Sequence, residues 1–401
     1  MSSRALPLAQ ALVKRGHCVT MLIPPWDDPQ RAGQSWVEGG VQVVNVSLPP
    51  RLPLLFHIWL TRTLVARALT LQPDVVHLFK PKAYAGLAHL GLWALRRRRG
   101  GSLRLVVDAD DWEQAWNEIA SYSAVQKKLF AWQERWGLRQ ADAVTVASRA
   151  LEKLVVAQRG GETARVFYLP NGCDPKTTAD PFDRLRAGRR LQTANPPSPS
   201  IVYRLPSTGI VREKWQLGNA PTILLYSRFW EFRLERIVAL VRAVAAQLPQ
   251  ARWLMVGQGL AGEDKALAGQ LAEAGLMEYV RFTGWLPLDE APAYFATAQV
   301  AVYPYDDTLI NRTKCSVKLI SLLEAGVPVV ADAVGQNVEY IQNGVSGLLT
   351  PAEDDEAMAA AVVALLQNHE QQQALGQAAR RYLAEKFDWT YLAQIAERAY
   401  G

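Results

Sequence analysis

Short apolar segments alternate with amphipathic segments along most of the 401 residues. Continuous apolar runs of this length are typical of strands that are buried on both faces of a parallel sheet. The predicted strands cover residues 18–23, 41–46, 73–79, 103–107, 141–148, 221–226, 252–259, 280–285, 300–302 and 327–331. Helical periodicity predicts helices over residues 5–14, 52–71, 83–95, 126–139, 291–298, 317–325, 353–366, 370–385 and 390–400. The alternation predicts βαβ units and an α/β fold.

Residues 300–349 carry the densest pattern: a strand, a polar cationic loop, a helix closed by Gly326 and a second strand. A strand, a helix and a strand at this spacing form a βαβ crossover. Ligands of such sheets bind beyond the carboxyl ends of the strands. The polar residues expected there suit an anionic, hydroxyl-rich ligand, and they are Lys314, Ser316, Lys318 and Glu339.

This stretch resembles the nucleotide-sugar-binding segment of GT-B glycosyltransferases, specifically glycosyltransferase family 4, the group 1 retaining enzymes. The matching motifs are Gly326-Val-Pro-Val-Val-Ala331, Gly335-Gln-Asn-Val-Glu339 and Asn343-Gly-Val-Ser-Gly-Leu-Leu349. The resemblance extends over residues 15–172 and from residue 221 to the end. It implies a GT-B fold, in which two Rossmann-like domains face each other across a cleft.

The resemblance also predicts the domain boundaries. It places an acceptor-side domain at residues 1–174, a nucleotide-sugar-binding domain at 220–387, and a helix at 388–401 that returns to the first domain. Residues 175–219 are rich in Pro, Arg, Ser and Thr, which predicts a disordered linker. The family has a strand and a glycine-rich loop before its first helix, and this sequence begins in that helix. We therefore expect the first domain to lack its first strand, or the start codon to lie further upstream.

The amino-acid composition limits which partners and which cellular compartment are expected for this protein. Hydrophobic residues make up 49% and charged residues 20%, as in ordinary soluble globular proteins, and the net charge of +6 favours anionic partners. No motif typical of nucleic-acid binding is visible, so no nucleic-acid partner is expected. The cysteines, at positions 18, 173 and 315, are far apart and odd in number, which favours a reducing compartment. No apolar run reaches the ~18 residues of a membrane span. These features predict a cytoplasmic protein.

The first half contains one cluster with candidate chemistry. Lys80 and Lys82 follow a predicted strand and face the acceptor side in the family arrangement, and Asp110 and Asp111 follow the next strand. Asp-x-Asp binds a metal in the GT-A architecture, whereas GT-B enzymes need no such metal. The resemblance implies acceptor-side roles for these residues, with Asp111 as a catalytic candidate and no metal site. The alternative is that the aspartates only cap a helix.

Cations and aromatic residues recur on the predicted helices at 52–71 and 126–139, and residues 96–99 are four consecutive arginines. These segments are interpreted either as helices packed on their own sheet with solvated ends, or as a surface that contacts an anionic membrane. The second interpretation predicts a peripheral protein on the inner face of the membrane.

The second half carries the predicted donor site. Arg228 follows the strand at 221–226, and Arg233 takes the position of a family lysine five residues later. Two guanidinium groups at a strand end bind phosphate oxygens well, which makes both arginines catalytic candidates. Gly257 and Gly259 form a turn after the next strand, and Trp285 follows the strand after that. Further donor contacts are expected from Lys314 and Lys318, one turn apart on a helix, unless they form a solvated helix face.

One departure from the family concerns its Glu-x7-Glu pair, whose second glutamate contacts the ribose. In register, those positions hold Thr313 and Ser321. Glu324 lies on roughly the same helix face, ~4.5 Å further along the axis, and is a candidate replacement.

The function implied is glycosyl transfer from a nucleotide-diphosphate sugar to a carbohydrate or lipid-linked acceptor, such as a glycan, lipid or polysaccharide precursor of the cell envelope. The resemblance implies a retaining, metal-independent reaction with no cofactor. One alternative is a catalytically impaired nucleotide-sugar-binding protein, motivated by the missing strand and glutamates. Another is an NAD-dependent oxidoreductase, suggested by Gly257-x-Gly259, although the full G-x-G-x-x-G motif and its acidic partner are missing.

Overall fold

A computed structural model describes residues 3–25, 28–50, 55–119, 122–173, 208–287 and 289–401. These residues fall into two compact units. The N-terminal unit comprises Met1–Gly172, Arg312–Cys315 and Phe387–Gly401, and the C-terminal unit comprises Cys173–Asn311 and Ser316–Lys386. Among the described helices, none has the length and apolar character needed to cross a bilayer.

The described strands, in chain order, are β1 (Thr20–Ile23), β2 (Ser35–Glu38), β3 (Val41–Asn45), β4 (Val75–Phe79), β5 (Arg104–Ala109), β6 (Ala143–Val146), β7 (Val166–Tyr168), β8 (Thr222–Tyr226), β9 (Arg252–Val256), β10 (Val280–Gly284), β11 (Val300–Tyr303), β12 (Val329–Asp332) and β13 (Leu348–Thr350).

The described α-helices are α1 (Ala5–Lys14), α2 (Leu55–Thr70), α3 (Ala83–Arg99), α4 (Glu113–Ile119), α5 (Ala124–Gln140), α6 (Arg149–Gln158), α7 (Thr208–Lys214), α8 (Leu234–Gln247), α9 (Glu263–Glu273), α10 (Ala291–Phe295), α11 (Leu309–Thr313), α12 (Val317–Glu324), α13 (Asn337–Tyr340), α14 (Asp355–Leu366), α15 (His369–Lys386) and α16 (Trp389–Tyr400).

The strands of the N-terminal unit form two sheets. One is parallel, in the order β4-β5-β6-β7, and its inner positions hold the apolar side chains of Leu105, Val107 and Val144. The other has the order β1-β3-β2, with β1 parallel and β2 antiparallel to β3. In the described residues β1 pairs only with β3, and β4 pairs only with β5. The central strand that the family has between them is not found in the described part of the chain.

Helix α16 completes the N-terminal unit by packing on α1. Leu8 and Leu12 of α1 share a buried cluster with Trp389 and Leu392 of α16. At the edge of this cluster, Arg15 Nη2 lies 2.7 Å from an oxygen of Glu397. The last described helix is therefore part of the same core as the first.

The C-terminal unit contains one parallel sheet in the order β10-β9-β8-β11-β12-β13. This is the order of a doubly wound sheet, in which the chain reverses direction between the first strand and the fourth. Helices α8, α9 and α14 cover it, and the core they enclose includes Trp253, Val300 and Val362. The reversal lies between β8 and β11, so the carboxyl ends of these two strands border the crevice where ligands of such sheets bind.

Two segments that were expected to lack regular structure contain helices. Most of the predicted disordered linker, residues 175–207, lies outside the described residues. For residues 208–219 the prediction is wrong, because α7 forms there and buries Val211 and Leu217 to 1% and 2% exposure. Arg212 fixes the turn after α7 by donating to the carbonyl oxygen of Gly218 at 2.7 Å.

The second difference is α11, which lies inside the loop predicted at residues 306–316. It is held by the buried side chain of Asn311, which donates to the carbonyl oxygens of Glu231 and Asp306 at 2.7 and 2.9 Å.

Candidate functional site

The loop after β8 is folded around a buried carboxylate. Glu231, 2% exposed, accepts hydrogen bonds from the Ser227 hydroxyl at 2.8 Å and from the Arg228 backbone N–H at 3.2 Å. The next residue, Phe229, is fully buried and has a φ of 64°, in the left-handed region that non-glycine residues rarely adopt. This tight turn leaves the side chain of Arg228 exposed at the carboxyl end of the sheet.

The predicted glycine turn lies directly beside this loop. Gly257, which follows β9, has a φ of 124°, and a Cβ atom there would lie 1.9 Å from the carbonyl oxygen of Ser227. A Cβ on Gly259 would lie 2.7 Å from the backbone nitrogen of Glu263. The Gly259 N–H instead donates to Asp264 at 3.0 Å, at the start of α9. Both glycines are therefore required by close approach of backbone or side-chain atoms.

Helix α12 begins at the same crevice. Its N-cap residue Ser316 makes a hydroxyl–hydroxyl hydrogen bond with Tyr303, the last residue of β11. Lys318 Nζ lies 3.9 Å from a carboxylate oxygen of Glu231 and 5.4 Å from the centre of the Tyr226 ring. The structure thus brings the predicted donor residues Ser316 and Lys318 to the loop that carries Arg228.

Lys314 occupies a different setting. It precedes α12, which begins at Val317, and it belongs to the short segment assigned to the N-terminal unit. The expectation that Lys314 and Lys318 lie one turn apart on a single helix is therefore wrong. Helix α12 begins at Val317, as predicted, and Lys314 lies in the connection between α11 and α12.

Arg233 is the N-cap residue of α8, and its side chain is 62% exposed. One guanidinium nitrogen lies 2.7 Å from Glu353, and Nε lies 3.5 Å from Asp306. Part of the positive charge of Arg233 is thus balanced by carboxylates of its own unit, which distinguishes it from Arg228.

The remaining predicted donor residues lie on neighbouring elements. Trp285 follows β10 and is 69% exposed. Ser321 lies on α12, where its hydroxyl donates to the Val317 carbonyl oxygen at 3.0 Å, and Glu324 is the last residue of that helix. Glu339 lies on α13, and its backbone carbonyl accepts a hydrogen bond from Tyr382. Among the described residues, no hydrogen bond, ion pair or ring contact links Trp285 to the Arg228 loop.

The predicted acceptor-side residues converge at the carboxyl ends of β4 and β5. Lys80, with a φ of 68°, places its Nζ 3.4 Å from carboxylate oxygens of Asp110, Asp111 and Glu113. Lys82 forms an ion pair with the buried Glu113. Burial raises the pKa of Asp110 to about 6, and the positive charge of Lys80 opposes this rise. The cluster therefore contains a carboxyl group that exchanges its proton close to neutral pH.

Helix α4, which follows this cluster, is capped by another residue, Glu134. The backbone N–H groups of Glu113 and Gln114 at the start of α4 donate to the Glu134 carboxylate at 2.9 and 3.1 Å. Burial raises the pKa of Glu134 to about 7. The helix-cap interpretation of Asp110 and Asp111 is therefore wrong. In the described part of the chain, no group of three or more His, Cys, Asp or Glu side chains is arranged to hold a metal ion.

Comparison with known proteins identifies the family. Residues 220–368 match the family model for group 1 glycosyl transferases, and residues 1–172 match the model for the glycosyl transferase 4-like domain. The chain belongs to the group 1 glycosyltransferases. This confirms the resemblance and the enzyme class predicted from the sequence, and it removes the oxidoreductase alternative.

Relatives of this glycosyltransferase include a GDP-mannose-dependent alpha-(1-6)-phosphatidylinositol monomannoside mannosyltransferase of Mycobacterium tuberculosis. It is 24% identical over 382 residues, which are 94% of this chain and 88% of the relative. A phosphatidyl-myo-inositol mannosyltransferase of Mycobacterium leprae is 32% identical over 195 residues, 46% of this chain and 48% of the relative.

Solved structures show the same fold. Sucrose-phosphate synthase from Thermosynechococcus elongatus superposes with a TM-score of 0.66 at 22% identity, covering 97% of this chain and 90% of that chain. Anabaena HepE, solved in complex with UDP and glucose, has a TM-score of 0.64 at 20% identity, covering 90% of this chain and 86% of that chain. The predicted α/β GT-B fold with two Rossmann-like domains is confirmed.

The glycosyltransferase also contains a buried ionic network that sequence reasoning missed. Arg236, 3% exposed, forms ion pairs with Asp306 at 2.9 Å, Asp332 at 3.1 Å and Asp355 at 2.7 Å. These carboxylates follow β11, end β12 and begin α14, so one guanidinium ties together three loops at the carboxyl edge. Burial raises the pKa of Asp332 to about 6, against the effect of Arg236. A feature of the sequence that could have indicated this network is the position of Arg236 on the apolar face of α8, beside Ile237.

Proposed function

We propose that this group 1 glycosyltransferase transfers a sugar from a nucleotide-diphosphate sugar bound at the carboxyl edge of its C-terminal sheet. The observation that carries the proposal is the convergence of Arg228, Lys318 and the N-terminus of α12 at the β8–β11 reversal. The reaction breaks the bond between the anomeric carbon and the diphosphate and joins that carbon to the oxygen of an acceptor hydroxyl, with release of the hydroxyl proton. Stabilising the departing diphosphate is the main electrostatic task.

The residues at this site are suited to that task without a metal. Arg228 presents an exposed guanidinium, which binds phosphate oxygens bidentately. Lys318 adds a second positive charge, whose orientation is supported by Glu231 and the Tyr226 ring. Backbone N–H groups at the start of α12 favour an anion because they have no partner within the helix. Arg233 extends this positive field, and we infer retention of configuration from the family's chemistry.

On the acceptor side, Asp110 and Asp111 are proposed to orient the attacking hydroxyl. A carboxyl group with a pKa of about 6, as burial gives Asp110, is matched to proton exchange near neutral pH. Lys80 holds both aspartates within 3.4 Å of its Nζ and thereby fixes their positions. The proposed roles of Lys80 and Lys82 are positioning rather than proton transfer.

The relatives suggest which substrates to test first. The mycobacterial relatives are named for GDP-mannose and for phosphatidylinositol mannosides, and Anabaena HepE was solved with UDP and glucose. We propose a nucleotide-diphosphate hexose as donor and a lipid-linked or carbohydrate acceptor of the cell envelope.

Exposed side chains on α5 support a peripheral contact with an anionic membrane. Val125, Leu129 and Trp132 are 77%, 43% and 43% exposed and follow each other at helical spacing on one face. Lys128 and Arg135 are exposed on the same helix. An exposed apolar stripe with flanking cations is typical of a helix that lies on a membrane surface. This supports a cytoplasmic enzyme bound to the inner face of the membrane, close to a lipid-linked acceptor.

A second candidate is a nucleotide-sugar-binding protein with impaired catalysis. The observation that favours it is Ser321, which stands where the family has a glutamate and whose hydroxyl is bonded to the backbone of α12. This candidate predicts donor binding without turnover.

The test is a panel of GDP- and UDP-sugars, with release of free nucleotide measured in the presence and absence of phosphatidylinositol-type and glycan acceptors. Acceptor-dependent release, unchanged by EDTA, with an axial product linkage from an axially linked donor, is the expected result. Binding of several donors by calorimetry without any turnover would favour the impaired protein. No binding of any nucleotide sugar would contradict both.

A further inference from the structure

A second cationic site lies at the opposite edge of the N-terminal sheet. The end of α3, the start of β5 and the residue before β7 enclose a concavity of about 480 Å³. Arg96, Arg97, Arg104 and Arg165 line it, together with one carboxylate, Asp142. Because β5 begins at Arg104, the concavity lies at the amino ends of the parallel strands, whereas Lys80 and Asp110 lie at their carboxyl ends.

The four arginines carry more positive charge than the neighbouring carboxylates neutralise. Arg96 has a structural role, since it forms an ion pair with Asp142 and donates to the Leu103 carbonyl oxygen at 2.9 Å. Arg165 lies 3.7 Å from an oxygen of Glu162 and is largely exposed. Arg104 donates to the backbone of Gly401 at 3.3 Å.

Arg97 lies over the Trp93 ring at 4.9 Å and has no carboxylate partner among the described residues. The lining therefore carries four guanidinium groups against one carboxylate. Even with Glu162 counted beside Arg165, a net positive charge remains.

The floor of the concavity is open to a ligand. Gly100 and Gly101 join α3 to β5, and no atom lies within 4 Å of the position where either would carry a Cβ. A group can therefore approach the backbone there without displacing a side chain. Several guanidinium groups around an open backbone turn match a tetrahedral oxyanion such as phosphate, which arginine binds through paired N–H donors.

An aromatic strip next to the concavity indicates where that phosphate comes from. Trp93, beneath Arg97, packs edge-on against Trp136 at 5.4 Å, and Trp136 stacks with Trp132 at 6.0 Å. Trp132 is 43% exposed, as is its neighbour Leu129. Tryptophan side chains favour the headgroup level of a bilayer, where an apolar ring and a polar edge are both accommodated. A free soluble phosphate would gain nothing from this strip.

We propose that the arginine concavity, defined by Arg96, Arg97, Arg104 and Arg165, binds the phosphate of an anionic lipid headgroup while the Trp93–Trp136–Trp132 strip contacts the bilayer interface. The proposal rests on the peripheral membrane contact put forward above and is independent of the transfer reaction. In this proposal the protein binds the lipid phosphate at a defined site, and the membrane contact does not depend on general charge attraction alone.

The test uses the full chain and the double variant R97Q/R165Q, which leaves the Arg96–Asp142 pair intact. The matched control is R242Q, an exposed arginine on α8 in the C-terminal unit. Flotation with phosphatidylcholine vesicles, with and without phosphatidylglycerol, measures the bound fraction at low and high salt. A cation near an anionic surface contributes roughly a fivefold change in partitioning, so the double variant should lose on the order of 20-fold. R242Q should stay within twofold of the unchanged chain.

Calorimetric titration with glycerol phosphate separates the two sources of phosphate. Binding to the unchanged chain that is weakened in R97Q/R165Q, together with loss of vesicle binding, supports the headgroup site. Glycerol phosphate binding without any binding to phosphatidylglycerol vesicles would overturn the lipid assignment. Equal vesicle binding by the double variant and R242Q would overturn the site itself. Thermal unfolding and donor-dependent nucleotide release, measured on the same samples, show whether the fold and the proposed transfer reaction are intact in each variant.

Discussion

A Cβ atom on Gly257 would lie 1.9 Å from the carbonyl oxygen of Ser227. This approach joins the ends of β8 and β9, and it also fixes the start of the loop that presents Arg228. Because the obstacle is backbone rather than a flexible side chain, no rotamer change can relieve it. The conformation of the loop that carries Arg228 therefore depends on the glycine at position 257, in the turn after β9.

The substitution Gly257→Ala should consequently destabilise the C-terminal unit by at least about 2 kcal/mol, since it adds both a backbone clash and left-handed strain at a φ of 124°. Urea unfolding measures the change. The control is Gly269→Ala in the middle of α9, where no atom lies within 4 Å of the added Cβ. That change should stabilise the unit by about 0.5–1 kcal/mol. Equal unfolding midpoints for the two variants would contradict the assigned role of Gly257.

Arg228→Ala should weaken the binding of UDP or GDP by about 1.5–3 kcal/mol, the range for a hydrogen bond to a charged group. Arg233→Ala should cost less, because Glu353 already lies 2.7 Å from that guanidinium. Calorimetry with each nucleotide measures both, and Arg242→Ala serves as the charge-matched control. If nucleotide affinity is unchanged in Arg228→Ala, the donor site lies elsewhere.

Ser321→Glu should restore a carboxylate at the position where the family contacts the ribose. We expect nucleotide-sugar affinity to rise several-fold, because a charged acceptor strengthens a hydrogen bond to a ribose hydroxyl. The matched control is Ser321→Gln, which has similar size without the charge. If instead Glu324 already fulfils this role, Ser321→Glu will leave affinity unchanged and Glu324→Gln will lower it. A titration series with both variants distinguishes the two residues.

His89 should lower the stability of the N-terminal unit as the pH drops below about 6.5, opposite in sign to the effect of Asp110 and Glu134, whose pKa values are raised by burial. His89 is 1% exposed and neither ring nitrogen has a hydrogen-bond partner among the described residues. Burial, helped by the positive charge of Arg96, lowers its pKa from the ordinary 6.5 to about 4. Between these values the unfolded chain binds a proton that the folded chain does not, so the free energy of unfolding falls by up to about 1.4 kcal/mol per pH unit.

His89→Phe keeps the ring contact with Trp136, 5.0 Å between centres, and removes the titrating group. Its thermal unfolding temperature should therefore decline less between pH 7 and pH 5 than that of the unchanged chain. The exposed His369, replaced by Gln, provides the control. Parallel pH profiles for the unchanged chain and His89→Phe would show that another group governs the acid response.

Much of the fold could be predicted because local patterns and tertiary packing agree. Helix α1 spans Ala5–Lys14 as its apolar spacing predicts, and its face is the one that packs on α16. The elements that were not predicted include helices α4, α6, α8 and α9 and strand β2. Strand β2 has the pattern of an exposed edge, with Val37 71% exposed, so it lacks the apolar run that marked the other strands.

The site was less predictable than the fold because much of it consists of contacts between residues distant in sequence. Arg228 and Gly257 were found from motif spacing, which is local. The Arg236 network depends on three carboxylates 70, 96 and 119 residues away, and periodicity carries no information about such partners. Lys314 was assigned to a helix because its spacing from Lys318 fits one, but spacing alone does not show where a helix begins.

The packing of α16 on α1 has a consequence for biosynthesis. Leu8 and Trp389 belong to one buried cluster, although most of the chain is translated between them. A ribosome must therefore release the residues up to α16 before this cluster can form. The described strands of the C-terminal sheet end at Thr350, so they are all translated before α16. The N-terminal unit, which leaves the ribosome first, therefore completes this cluster only after the strands of the C-terminal sheet have been translated.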